Sequence, residues 1–157
     1  MTPLENRLVL HRFLCREFGY DDLAAMLDRL RDVPAGFAAG GESEYALQLR
    51  PNPARATIVP ERFADYDAEI AALSRRLRMT AERGRGWKPH QWLALLFAEH
   101  YLRRYFDDPE ALRDALNDAK RQDPLTRPMS DYTVANLRTV AVQSATGSGK
   151  TLVMHAH

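Results

Sequence analysis

Apolar residues at the start of the chain recur at intervals of three and four, which is the spacing of one face of a helix. This spacing predicts an amphipathic helix from Pro3 to Phe18, and Gly19 is suited to close it because glycine readily adopts the left-handed conformation found at helix C-termini. A second helix is predicted from Asp21, a candidate N-cap residue. Its inward face consists of Leu23, Met26, Leu27 and Leu30.

A stretch rich in proline and glycine, from Pro34 to Gly41, then interrupts the pattern. A short helix is predicted over 42–49, and the prolines of Arg50-Pro-Asn-Pro53 cannot continue it because they lack the N–H that a helix needs. Pro60 fits the first position of the next helix. That helix has one clean apolar face, formed by Phe63, Tyr66, Ile70, Leu73 and Leu77.

Gly84-Arg-Gly86 predicts a flexible joint, and the domain boundary is placed there. The helix predicted after it, from Pro89 to Phe106, carries apolar residues on most sides, so we expect it to be buried on two faces. Another helix is predicted over 109–121, followed by a turn-rich connector over 123–128. Residues 1–86 are therefore expected to form a helical accessory region.

The end of the chain carries its most specific motif. Thr139 to Val142 predicts a buried strand, Ser144-Ala-Thr-Gly-Ser-Gly-Lys-Thr151 predicts a nucleotide phosphate loop, and a helix is expected to start at about Gly149. Glycine lets such a loop wrap its N–H groups around a polyphosphate. The residues expected to bind ATP are Thr146, Gly147, Ser148, Gly149, Lys150 and Thr151. Lys150 would act catalytically on the β- and γ-phosphates, and the Thr151 hydroxyl would hold Mg²⁺.

This motif resembles motif I (Walker A) of superfamily 2 helicases and translocases, in which a small residue precedes Thr-Gly-Ser-Gly-Lys-Thr. Ser144 departs from the strict phosphate-loop pattern, which begins with glycine. The long helical interval between Gln91 and Lys150 resembles bacterial DEAD/DEAH-type helicase-family proteins related to restriction-enzyme motor subunits. The resemblance implies a RecA-like α/β motor domain, of which 87–157 would be the truncated beginning.

Trp87-Lys-Pro-His-Gln91 resembles the glutamine element that reads adenine in the same superfamily, although Lys88 stands for arginine and His90 for an aromatic residue. The resemblance implies that Gln91 binds the adenine edge, since an amide both donates and accepts hydrogen bonds. The alternative is a polar residue in the first turn of a helix.

The composition of the chain limits the classes of binding partner and the cellular location that can be expected. The net charge of +1 gives no whole-chain argument for binding nucleic acid or membranes. The single cysteine, Cys15, excludes a disulfide framework and fits a reducing cytoplasm. No apolar run approaches the roughly 18 residues that span a bilayer. A cytoplasmic protein without membrane contact is therefore expected.

Several other features have competing explanations. A local basic run suits nucleic-acid phosphates but is also typical of a solvated helix end. It consists of Arg75, Arg76, Arg78, Arg83, Arg85 and Lys88. His11 and Cys15 lie one turn apart, as metal ligands do, yet no second pair completes a tetrahedral set, so core packing is favoured. Trp87 and Trp92 flank Gln91, and burial in the core is favoured over stacking on adenine.

The expected fold class is mainly α: a multi-helix N-terminal region, then the first strand, phosphate loop and helix start of the RecA-like domain. The expected function is that of an N-terminal fragment of an ATP-dependent helicase or translocase, with ATP and Mg²⁺ as cofactors and DNA favoured over RNA. The helical region would contact protein partners. Because no Asp-Glu strand, arginine finger or second motor domain follows Thr151, the 157 residues alone are expected to be inactive.

Two other classes of function stay open. One is a different phosphate-loop NTPase, such as a kinase, although the loop of such enzymes usually lies near the N-terminus. The other is a non-enzymatic helical interaction module with an orphaned phosphate loop. Cooperative unfolding of residues 1–86 alone would favour the interaction module.

Overall fold

The computed structural model describes residues 8–79, 86–122 and 129–140, and within these ranges the chain is mainly α-helical. The described α-helices are α1 (Val9–Glu17), α2 (Leu23–Leu30), α3 (Glu44–Gln48), α4 (Pro60–Arg76), α5 (Pro89–Asp107) and α6 (Pro109–Gln122). A 3₁₀ turn follows at Asn136–Arg138. Of the predicted strand only Thr139 and Val140 are described; the Thr139 backbone is extended but belongs to no strand in the described ranges.

The predicted C-terminal glycine of α1 is confirmed. Gly19 has a φ of +84°, and its N–H donates to the Arg16 carbonyl at 2.8 Å while the Tyr20 N–H donates to the Cys15 carbonyl at 2.9 Å. These two hydrogen bonds form a Schellman motif. A Cβ atom at this position would lie 3.1 Å from the Ala56 nitrogen, so both the conformation and the space favour glycine.

The starts of the first two helices differ from the sequence prediction. Within the described residues α1 begins at Val9, since the backbone of Leu8 is extended and its side chain is 44% exposed. The N-cap of α2 is Asp22 and not Asp21: the Asp22 carboxylate accepts the Ala25 N–H at 2.9 Å. Asp21 instead forms a surface ion pair with Arg55, a partner 34 residues away that a local pattern does not reveal.

Ser43 and Pro60 begin the next two helices. The Ser43 hydroxyl caps α3 by accepting the Ala46 N–H at 3.0 Å. Pro60 occupies the first turn of α4 as predicted, because its ring fixes a helical φ and its missing N–H is not needed there. The Asp67 carboxylate on α4 accepts from both the N–H and the hydroxyl of Ser43, which ties the start of α3 to the middle of α4.

Helix α5 is the centre of the bundle, and the prediction that it is buried on two faces is confirmed. It packs against α2, α4 and α6, while α1 packs against α2 and α6. Its buried residues are Gln91, Trp92, Leu93, Leu95, Leu96, Phe97, His100 and Tyr101. The apolar members of this set form one continuous hydrophobic cluster with buried residues of 13–79, so the core extends across the predicted boundary at Gly86.

The segment 129–140, which leads towards the predicted phosphate loop, is anchored on α5 and α6. The buried Lys120 ammonium donates to the Met129 carbonyl at 3.1 Å and forms an ion pair with Asp131. Asn117 exchanges two hydrogen bonds with the backbone of Tyr132. On α5, the Tyr101 hydroxyl donates to the Leu137 carbonyl at 2.7 Å. None of the described helices is long and apolar enough to cross a membrane.

Candidate functional site

The phosphate-loop residues predicted to bind ATP lie outside the described part of the chain. They are Thr146, Gly147, Ser148, Gly149, Lys150 and Thr151. Their roles, including the metal contact of Thr151, stay predictions. Gln91 is the predicted nucleotide-binding residue that the structure does describe.

Gln91 lies in the first turn of α5, the position that the sequence offered as the alternative to adenine binding. Its Oε1 accepts the Lys88 N–H at 2.9 Å, which satisfies a backbone donor that has no partner within the helix. Only this half of a capping box is formed, since the Lys88 ammonium cannot accept a hydrogen bond. An adenine contact through Oε1 would have to share this atom with Lys88, and the role in binding adenine stays a prediction.

Burial of both tryptophans in the core is confirmed. Trp87 is 5% exposed; its indole N–H donates to the Ser74 hydroxyl at 2.6 Å, and its carbonyl accepts from the Tyr45 hydroxyl at 2.8 Å. Trp92 is 1% exposed and packs against the Tyr45 ring with centroids 5.8 Å apart. Neither indole face is therefore available for stacking on a base in this conformation.

The other sequence candidates also occupy ordinary structural positions. His11 packs edge-on against Phe97, and Cys15 is buried in the core, where desolvation raises the thiol pKa to about 12. Within the described ranges no group of three His, Cys, Asp or Glu residues could hold a metal ion. In the basic run Arg75, Arg76, Arg78 and Lys88 are exposed, and Arg83 and Arg85 lie outside the described residues.

A polar cleft of about 450 Å³ between α4 and α5 was not predicted from the sequence. We call it the α4–α5 cleft. Buried Glu17, Tyr66 and His100 line it together with the more exposed arginines Arg62, Arg103 and Arg104. The cleft is within the usual size range of small-ligand sites, which is roughly 300–1,000 Å³.

The buried side of the cleft is a hydrogen-bond network centred on Glu17. Its carboxylate accepts from the Thr57 hydroxyl at 2.6 Å, lies 3.1 Å from His100 Nε2 and forms an ion pair with Arg104. The Tyr66 hydroxyl lies 3.2 Å from His100 Nδ1. With Nε2 protonated, His100 donates to Glu17 and accepts from Tyr66, so one imidazole links α1, α4 and α5.

These contacts determine the charge of the network. Burial opposes ionisation of Glu17, but hydrogen bonds from His100 and Thr57 and the positive charge of Arg104 outweigh it and lower the Glu17 pKa to about 2. Burial raises the pKa of the Tyr66 hydroxyl. Glu17 is therefore an anion and Tyr66 a neutral phenol at neutral pH. Since Tyr66 and His100 are only 1% and 4% exposed, this network positions other groups and does not present a nucleophile.

Solvent reaches the arginines of the cleft and also the carboxylates of Asp107 and Asp108. Arg62 forms a solvated ion pair with Asp107 at 3.2 Å, and Arg104 is held by Glu17 and by the Phe13 ring, 5.4 Å from its guanidinium carbon. Arg103 is exposed and forms no ion pair among the described residues. The cleft can therefore offer guanidinium N–H donors to an anion.

Part of this site has a local sequence signal. His100, Arg103 and Arg104 are spaced i, i+3 and i+4, and so are on one face of a helix, as are Arg62 and Tyr66. Glu17 has no such signal, because its partner His100 lies 83 residues further along the chain. Only the packing of α1 against the rest of the bundle reveals that the two meet.

Comparisons with known proteins give no relative from which a function could be transferred. No protein-family model matches the chain, and neither a curated protein nor a solved structure shows significant similarity to it.

Proposed function

We propose that this chain contributes the ATP-binding phosphate loop of a helicase or translocase that moves along nucleic acid, with DNA favoured over RNA. The observation that carries the proposal is the motif Ser144-Ala-Thr-Gly-Ser-Gly-Lys-Thr151 after an apolar run. Its glycines permit backbone N–H groups to surround a polyphosphate, and its lysine and threonine suit the terminal phosphates and Mg²⁺.

The anchoring of segment 129–140 supports this proposal. A phosphate loop acts only when it is held in a fixed position, because phosphoryl transfer depends on positioning and charge stabilisation. Lys120, Asn117 and Tyr101 bind the backbone of the segment that leads towards the motif. In the proposed motor the helical bundle is thus a support for the nucleotide site, and its remaining surface is available to protein partners.

The roles proposed for individual residues follow from the motif. Gly147, Ser148 and Gly149 bind the phosphates through their N–H groups, Lys150 contacts the β- and γ-phosphates, and Thr151 holds Mg²⁺. Thr146 completes the loop, and Gln91 contacts adenine. Hydrolysis also needs a carboxylate that orients water and an arginine that stabilises the transition state, and no residue of this chain is assigned to either role.

Lys150→Ala tests the proposal in the protein expressed from its complete reading frame. We expect DNA-stimulated ATP turnover to be lost, because the charge that stabilises the transferred phosphate is removed. The measurement is phosphate release with and without single-stranded DNA. Arg31→Ala, which removes an exposed cation at the end of α2, is the matched control and should leave turnover unchanged. Undiminished hydrolysis by the Lys150 variant would reject the assignment.

A further inference from the structure

We propose that the α4–α5 cleft is a second anion site, which binds a phosphate group through Arg62, Arg103 and Arg104. It uses none of the phosphate-loop residues 144–151, and it does not depend on the proposed motor function. The ligand chemistry is a phosphate oxygen, carried by a nucleic-acid backbone or by a small phosphate compound.

The cleft is lined by equal numbers of positive and negative side chains, and not all of them are paired with one another. Three carboxylates line the cleft beside the three arginines, but each already has a contact. Glu17 is neutralised by Arg104 and by the hydrogen bonds of the buried network. Asp107 pairs with Arg62, and Asp108 accepts the Ala111 N–H at the start of α6. Neither Arg103 nor Asp108 forms an ion pair among the described residues, so the Arg103 guanidinium is available to an anion.

The guanidinium groups have donors to spare. Each has five N–H donors in a planar arrangement that matches two phosphate oxygens at once. Arg62 forms one contact with Asp107 at 3.2 Å, and both side chains are about half exposed, so this pair costs little to rearrange. A phosphate that bridges Arg62 and Arg103 would thus replace a weak surface ion pair with charge-assisted hydrogen bonds.

Arg104 is held in place before any ligand arrives. Its contacts with Glu17 and with the Phe13 ring fix a side chain that is otherwise long and flexible. Glu17 in turn is oriented by His100, Thr57 and the packing of α1. Preorganisation of this kind lowers the conformational entropy lost on binding. The buried network therefore explains why a carboxylate of such low pKa lies beneath an arginine cluster.

The test is an NMR titration of the whole chain carrying Lys150→Ala, so that the phosphate loop does not contribute. One probe is inorganic phosphate and the other is a decamer of deoxythymidine, both at low salt because binding to phosphate weakens with salt. We expect a saturable shift of the Arg62, Arg103 and Arg104 side-chain N–H resonances. Saturation by the decamer alone would identify a nucleic-acid backbone as the ligand, and saturation by inorganic phosphate would identify a small phosphate compound; both support the site.

Two arginine variants separate specific binding from general charge. Arg103→Ala should weaken binding roughly tenfold, the effect of losing one charge-assisted contact. Arg121→Ala removes an equal charge from the exposed far end of α6, about 20 Å from the cleft residue Asp108 along the helix axis, and should weaken binding much less. Since Arg103 is exposed and forms no ion pair with any described residue, its variant is expected to keep its melting temperature. No saturable shift with either probe, or equal weakening by the two variants, would overturn the proposal.

Discussion

At the scale of single residues, several buried polar side chains in the described part of the bundle have a structural task. Gln91 accepts the Lys88 N–H, Ser74 accepts from Trp87, and Asp67 accepts from Ser43. Unpaired polar groups are costly in a core, so these contacts explain why such residues are tolerated beneath the surface. Glu17 is a buried carboxylate that is ionised at neutral pH, so its partners matter for stability.

Glu17→Gln should destabilise the protein by about 3 kcal/mol at neutral pH, because it leaves the partly exposed Arg104 and the buried His100 without their anionic partner. The folded-state pKa of about 2 lies below the ordinary 4.5, so the ionised carboxylate stabilises the fold above pH 4.5. That contribution is lost as the pH falls from 4.5 towards 2. Urea unfolding across this range should show that the difference in free energy of unfolding between the variant and the original protein becomes smaller as the pH falls.

Glu69→Gln is the control for the pH dependence, since Glu69 is exposed on α4. It should change the free energy of unfolding little at any pH. A difference for Glu17→Gln that stays constant between pH 7 and pH 3 would contradict the role assigned to its ionised form.

Gln91 has two proposed tasks that two substitutions can separate. Gln91→Ala removes the acceptor for the Lys88 N–H and should lower the free energy of unfolding by about 1 kcal/mol. Gln91→Glu keeps an acceptor and adds a negative charge at a helix N-terminus, so it should retain most of the stability. Because a carboxylate cannot donate to adenine, the Glu variant should raise the KM for ATP in the complete motor. An unchanged KM would leave Gln91 with the capping role alone.

At the scale of elements, α1 and α4 end in the same backbone geometry with different residues. Gly19 and Arg78 both have positive φ, at +84° and +53°, and after each helix the next N–H reaches back to a carbonyl of the last turn. A left-handed conformation costs roughly 1–2 kcal/mol in a residue with a Cβ atom. The end of α4 thus carries a strain that the end of α1 avoids.

Arg78→Gly should therefore stabilise the protein, by about 0.5–1 kcal/mol once the greater flexibility of glycine in the unfolded chain is included. Gly19→Ala should have the opposite effect, because its Cβ would meet the Ala56 backbone at 3.1 Å. Urea unfolding of both variants gives the comparison. If Arg78→Gly destabilises the protein, the arginine side chain stabilises the fold by more than its left-handed backbone conformation destabilises it.

At the scale of the whole molecule, the helices before and after the joint at Gly86 share one core. Phe18 packs against Phe97 on α5, the Tyr45 hydroxyl binds the Trp87 carbonyl, and Glu17 contacts His100. Residues 1–86 without α5 would leave the apolar faces of α2 and α4 uncovered. The described helices thus form a single packed unit. The boundary between 1–86 and 87–157 marks where the motor domain is expected to begin, and it stays a prediction.

A fragment of residues 1–86 is accordingly expected to show no cooperative unfolding transition, because α5 supplies the centre of the core. Residues 1–140, which retain all described helices and omit the phosphate loop, should unfold cooperatively and serve as the control. The measurement is urea unfolding followed by circular dichroism. A sharp transition of the 1–86 fragment would instead favour an independent interaction module.

The sequence by itself determined the local features: the helices over most of their lengths, the glycine that closes α1, the proline that opens α4 and the two-sided burial of α5. These depend on apolar spacing and turn chemistry, which act over a few neighbouring residues. The phosphate-loop motif is equally local, and its prediction likewise needs no tertiary contact.

Only the tertiary structure decided which residues from distant parts of the chain meet. It selected Asp22 over Asp21 as the cap of α2, paired Glu17 with His100, and brought three arginines to one cleft. Hydrophobic periodicity indicates which face of a helix is buried, but it does not indicate which part of the protein covers that face. Contacts between polar residues far apart in the sequence follow from that packing, and for this reason the α4–α5 cleft was visible only in the folded molecule.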